Sequence, residues 1–166
     1  MFSSLTFSLL TALLFNQVSA KIDTLPAFDN VAVLQSRYGN KLLTLRAISP
    51  NIGSDPKFFA KNGSKLGLGG SQNPNWKIKK DSANFYYLEN VAGGKLIRDT
   101  RGHLMLGDTQ RVLHIKLKKV TPFVKEHPRY YICVRLSGQD HCISAATAMH
   151  TAEKDKWTAF AIQADQ

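Results

Sequence analysis

The sequence predicts an all-β fold made of three related units, and three observations carry that reading. Apolar and polar residues alternate in short runs; a similar order of runs recurs three times; and no stretch sustains the i, i+3, i+4, i+7 apolar spacing of a helix. The first halves of the units are VAVLQSRYGNKLLTL, NFYYLENVAGGKLIRD and RYYICVRLSGQDHCIS, each a pair of alternating runs around a turn that contains glycine. The second halves follow in the same order: KLGLGG then NWKIKK, GHLMLGD then VLHIKLKK, AMHTAE then KWTAFAIQ. Copies spaced by roughly 45–55 residues imply units that cannot bury an apolar face alone and must share one interior.

The individual elements follow from punctuation and periodicity. Turn signals fall at Tyr38-Gly39-Asn40, Asn62-Gly63, Gly69-Gly70, Asn73-Pro74, Gly93-Gly94, Arg101-Gly102 and Ser137-Gly138, dividing the chain into about twelve short strands. In Trp76-Lys77-Ile78-Lys79 the apolar residues share one face and the lysines the other, and His114-Ile115-Lys116-Leu117-Lys118 repeats that arrangement. Trp76 and Trp157, each leading such a run, read as core anchors.

Residues 1–20 read as a secretory signal peptide: LTFSLLTALLF is an apolar core of about a dozen residues, and Val18-Ser19-Ala20 precedes Lys21 with small or modest side chains. That run is too short to cross a ~30 Å hydrocarbon core as a helix, and no second hydrophobic span follows, so a secreted chain with no membrane span is expected. Residues 21–166 carry no linker or composition break and are expected to form a single domain, monomeric and large enough for its own core.

Cys133 and Cys142 are the two cysteines. If Ser137-Gly138 is a two-residue hairpin turn, they lie directly opposite each other at a non-hydrogen-bonded site, where side chains approach most closely, so a disulfide is expected. Asn62-Gly63-Ser64 is an acceptor sequon for N-linked glycosylation.

The formal charge of +10 resides entirely beyond residue 20, because residues 1–20 carry no ionisable side chain. A basic exported protein is attracted to glycans with acidic groups, to other anionic polysaccharides or to acidic secreted or host proteins; export makes nucleic acid a less natural partner. Lys77, Lys79, Lys80, Lys116, Lys118 and Lys119 occupy corresponding strands of two units and form candidate anion-binding rows. Catalysis finds little support. There is no Gly-x-Ser-x-Gly elbow, Gly67-Leu68-Gly69-Gly70 lacks the Gly-Lys-Ser/Thr ending of a phosphate loop, and His103, His114, His127, His141 and His150 lack metal-ligand spacing. No metal or other cofactor is expected.

The threefold order, over roughly residues 28–163, resembles the β-trefoil superfamily: four strands per unit, three units, a six-stranded barrel and three capping hairpins. Within it the chain is most similar to ricin-B-type lectin domains, whose units end in Gln-x-Trp. The matching places read Pro74-Asn75-Trp76 and Asp155-Lys156-Trp157, and the second unit offers Leu113 to Ile115. The resemblance implies a lectin-like, non-enzymatic protein, with Asp99 the carboxylate that accepts hydrogen bonds from a sugar and Arg101, His103 and Asp108 around it. A virulence or defence role would follow from the ligand. Two other trefoil-type readings stand beside it. A Kunitz-type protease inhibitor would present loop 49–58 or loop 121–129, where proline limits the entropy lost on docking. A growth-factor-like receptor ligand would use the basic surface.

Overall fold

The structure is a computed structural model that describes residues 28–29, 41–48, 57–69, 74–108, 111–122, 126 and 128–164. The expected signal segment 1–20, the first run of the expected hairpin 31–45 and much of loops 49–58 and 121–129 lie outside the described residues.

Thirteen strands form one antiparallel network, with no α-helix among the described residues. They are β1 (Phe28–Asp29), β2 (Leu43–Ile48), β3 (Lys57–Asn62), β4 (Lys65–Gly69), β5 (Asn75–Lys80), β6 (Tyr86–Asn90) and β7 (Lys95–Arg98). The second half of the chain contributes β8 (Leu104–Gly107), β9 (Lys116–Lys119), β10 (Tyr130–Leu136), β11 (Gln139–Ser144), β12 (Met149–Thr151) and β13 (Ala159–Ala164). The main path runs β1-β9-β10-β13-β2-β5-β6-β7-β8; β3 and β4 branch from β2, and β11 and β12 branch from β10. No described helix is long and apolar enough to cross a membrane.

The strand registers repeat. Ile78 pairs with Leu88, Leu117 with Ile132, and Ile162 with Leu45, each between two buried aliphatic residues. Two residues earlier on β5 and β13, and just ahead of β9, stand Trp76, Phe160 and Ile115, all buried. Their backbone partners also correspond: Trp76 lies opposite Leu43, Phe160 opposite Tyr130, and the Ile115 amide donates to the Tyr86 carbonyl at 2.9 Å. Period-2 alternation explains why these positions line one interior while Lys77, Lys79, Lys116 and Lys118 take the other face.

Phe59 joins two of these positions, its ring centroid 6.0 Å from those of both Trp76 and Phe160. Trp76 is fully buried, and its indole N–H donates to the Phe59 carbonyl at 2.8 Å, so the polar end of a large apolar group is satisfied inside the core. At ~25 cal/mol per Å² over a buried area of roughly 200 Å², Trp76 contributes on the order of 5 kcal/mol as an upper figure. Trp157 does not share this position. It lies five residues before Ile162, whereas Trp76 lies two before Ile78, so the register assigns the equivalent core place to Phe160 and leaves Trp157 half-buried on the outside.

Of the first unit's expected pair of runs within residues 31–45, the first run lies outside the described residues; the second begins β2, which pairs with β3, β5 and β13. The disulfide joins Cys133 and Cys142, directly paired across β10 and β11 with Cα atoms 4.0 Å apart. Ser137 and Gly138 close this hairpin at φ 51° and 77°, left-handed values that glycine adopts without strain and that give a two-residue turn the twist of its strands. Asn62, Gly63 and Ser64 are exposed on the turn between β3 and β4.

Candidate functional site

The lysines expected as two basic rows lie on β5 and β9, and Lys79 and Lys118 are each paired with a carboxylate on another strand. Lys77 and Lys79 stand on the outer face of β5, and Lys79 forms a 3.2 Å ion pair with Glu89 on the neighbouring strand. Lys80 is exposed at the end of the same strand, and Lys116 and Lys119 lie on β9. Lys118 is set apart by its surroundings: its ammonium lies 3.2 Å from Asp140 Oδ2 and 5.4 Å from the centre of the Trp157 ring.

Asp99, Arg101 and His103 share the turn between β7 and β8, and there Asp99 is committed to its own backbone. Its Oδ1 accepts from the Arg101 amide at 2.8 Å and the His103 amide at 2.9 Å, and its Oδ2 lies 3.1 Å from His103 Nδ1. Burial pushes the Asp99 carboxyl up, but these amides and the imidazole outweigh it and hold the group below the usual carboxylate range. Asp108 stands apart after β8, well exposed, 3.4 Å from the Lys95 ammonium. Thus the four residues expected around a sugar serve a turn and a surface ion pair.

The constellation that sequence reasoning missed is a cleft of about 310 Å³ lined by Lys118, Gln139, Asp140, Ala152, Lys154 and Trp157. Three elements build it. β9 brings Lys118, the tip of the β10–β11 hairpin brings Gln139 and Asp140, and the segment after β12 brings Ala152, Lys154 and Trp157. This last segment is braced: a 3-10 turn at Lys154–Lys156 returns the chain, and the Trp157 indole N–H donates to the Thr151 carbonyl at 2.7 Å. Immediately beyond, the Thr158 amide donates to the Ile143 carbonyl at 2.9 Å, and the Thr158 hydroxyl accepts from the Ala145 amide at 2.9 Å. Tyr131 meets the Trp157 ring edge-on at 5.3 Å, fixing the indole further.

Chemically the cleft combines an indole, a carboxylate, an amide and two ammonium groups. The cation over the indole strengthens the hold on both side chains. Asp140 Oδ2 is engaged by Lys118, whereas Asp140 Oδ1 is buried without a hydrogen-bond partner. A buried carboxylate oxygen without a donor costs free energy. Charge is partly balanced nearby: Lys156 pairs with Glu153 at 2.6 Å, while Lys154 has no carboxylate partner among the described residues. Nothing here resembles a nucleophile–base pair, and no group of three or more metal-ligating side chains occurs among the described residues.

One sequence signal pointed toward this cleft. Trp157 follows the strongly polar run Glu153-Lys154-Asp155-Lys156, a context foreign to a buried strand. No family model, curated protein or solved structure matches the chain.

Proposed function

We propose that this chain is a secreted, non-enzymatic β-trefoil whose Trp157 cleft binds a saccharide. The trefoil reading is supported by the threefold agreement of register, in which Ile78–Leu88, Leu117–Ile132 and Ile162–Leu45 are equivalent pairs, and by the Ile115–Tyr86 hydrogen bond linking β6 to the start of β9. On this reading β3–β4, β7–β8 and β11–β12 are the three capping hairpins. The Cys133–Cys142 bridge suits an oxidising compartment, and with it export by residues 1–20.

The observation that carries the ligand reading is the convergence of the Trp157 indole and the Asp140 carboxylate on one cleft. A pyranose has a ring face that packs on an aromatic plane and equatorial hydroxyls that donate to a carboxylate, so the two features are complementary to one molecule. Gln139 and the ammonium groups of Lys118 and Lys154 supply further polar contacts, and their charge favours saccharides bearing carboxylate or sulfate. The cleft combines β9 of the second unit with the third unit; at the register place of Lys118, β5 carries Lys79, which is paired with Glu89 instead, so one such cleft among the described residues is the expectation.

A glycan array at low and at high salt, followed by fluorescence titration of the best hit, tests the reading. Binding that is lost in Trp157→Ala and in Asp140→Ala supports it. An array flat at both salts, or binding untouched by either substitution, refutes it.

A further inference from the structure

Twelve residues from the disulfide-linked hairpin's tip, His150 on β12 presents an unusual combination. It is 8 % exposed, and neither Nδ1 nor Nε2 has a hydrogen-bond partner. A buried imidazole in that condition is stable only while neutral, because a protonated ring would place a charge in a site with nothing to accept its N–H groups.

Its surroundings oppose the proton. Arg98 at the end of β7 and His141 on β11 face it with positive or potentially positive charge, the two imidazole centroids being 5.4 Å apart. Asp99, in the turn after β7, is the one acidic group acting in the other direction, and it is engaged by Arg101 and His103. Gly102 completes the packing: a Cβ built there would lie 3.5 Å from His150 Nε2, so the turn rests directly on the ring. The backbones interlock as well, with the His150 amide donating to the Gly102 carbonyl at 3.1 Å and the Leu104 amide to the Ala148 carbonyl at 2.7 Å.

The same strand leads into the cleft. Thr151, next in sequence, supplies the carbonyl that holds the Trp157 indole, and Ala152 lines the cleft wall. On β11, His141 is followed backwards by Asp140, the carboxylate of the site. Loss of the contact between β12 and the Arg98–Gly102 turn therefore loosens the indole and the carboxylate together.

We propose that His150 is an acid-sensitive latch, so that its protonation releases β12 from the Gly102 turn and opens the saccharide cleft. This rests on the cleft reading above for its biological meaning, not for its physics. Burial, reinforced by Arg98 and His141, lowers the His150 pKa from 6.5 to about 4. With a normal value in the opened segment and the depressed one in the closed segment, the neutral ring favours closure above pH 6.5. That preference is lost progressively as pH falls from 6.5 toward 4, by about twentyfold between pH 7 and pH 5.

Native-state hydrogen exchange of the full chain tests the latch without any ligand. Corrected for intrinsic rates, the protection of the His150 and Leu104 amides and of the Trp157 indole N–H should fall by about twentyfold from pH 7 to pH 5, while the Leu88 amide, remote on β6, stays constant. His150→Phe, or His150→Leu should the first not fold, should abolish the dependence; His103→Gln should leave it intact. Unchanged protection at the His150 amide, a pH dependence that survives both His150 variants, or an indole that remains protected when the amides do not, overturns the proposal. A saccharide titration at the two pH values forms a separate arm. Failure there with the exchange result intact removes the cleft's function and leaves the latch standing.

Discussion

Lys118 and Asp140 meet across the cleft with Nζ and Oδ2 3.2 Å apart, although they lie on strands that are joined only through β10. Both side chains are largely shielded, at 26 % and 17 % exposure, so the pair is less screened than a surface contact such as Lys79–Glu89 at 45 % and 30 %. A double-mutant cycle on Lys118 and Asp140 by urea unfolding should give a coupling of about 1–1.5 kcal/mol, above the ~0.2–1 kcal/mol expected for an exposed pair. Equal couplings for the two pairs would mean that the cleft provides no sheltered electrostatics.

The two tryptophans should respond oppositely to truncation. Trp76→Ala opens a cavity against Phe59 and removes a satisfied indole, so a loss of about 3–5 kcal/mol in urea unfolding is expected. Trp157→Ala, at a half-exposed position, should cost no more than about 1–2 kcal/mol while removing saccharide binding. A similar stability loss in both variants would put Trp157 in the core after all.

Cys133→Ser with Cys142→Ser should leave a folded protein. The bridge closes a sequence separation of 9, and a loop so short restrains the unfolded chain by only about 2–3 kcal/mol. Thermal unfolding of the double variant against the parent measures the difference; outright unfolding at room temperature would show that the core is much weaker than its packing implies.

Acid should act first on two turns. Asp81 accepts from the Phe85 and Ala83 amides and lies 3.1 Å from His114 Nε2; the backbone bond from Phe85 leads the effects that hold its carboxyl below the ordinary 3.8. Asp99 is lowered in the same sense. A carboxylate with a depressed folded pKa stabilises the fold above its unfolded value, and that contribution disappears as pH falls below about 4. Amide shifts of Phe85 and His103 should therefore each include a transition below pH 4. Asp81→Asn should remove the Phe85 transition and disturb the exposed Phe85–His114 stack, whose centroids lie 4.6 Å apart.

The residues whose roles were legible beforehand are those governed by local rules. The alternation in Asn75–Lys80 shows which side of β5 is buried, and Ser137-Gly138 specifies a turn that forces Cys133 opposite Cys142. The role of Asp99 was not legible in the same way, because a carboxylate beside a glycine turn has the same sequence whether it meets a ligand or its own amides. Trp157 was placed in the core for a related reason: a two-of-three match to Trp76 ignores a three-residue difference in register that only pairing partners reveal.

Sequence by itself determined the all-β class, the inward and outward faces of strands such as β5 and β9, and the disulfide, since each depends on periodicity or on neighbours a few residues apart. Tertiary structure alone decided which polar groups converge, because Lys118, Asp140 and Trp157 reach one cleft through three successive strand pairings, and Arg98, Gly102 and His150 one buried contact through a pairing between segments far apart in the chain. Such meetings depend on register summed across the sheet, and no window of the sequence holds that information.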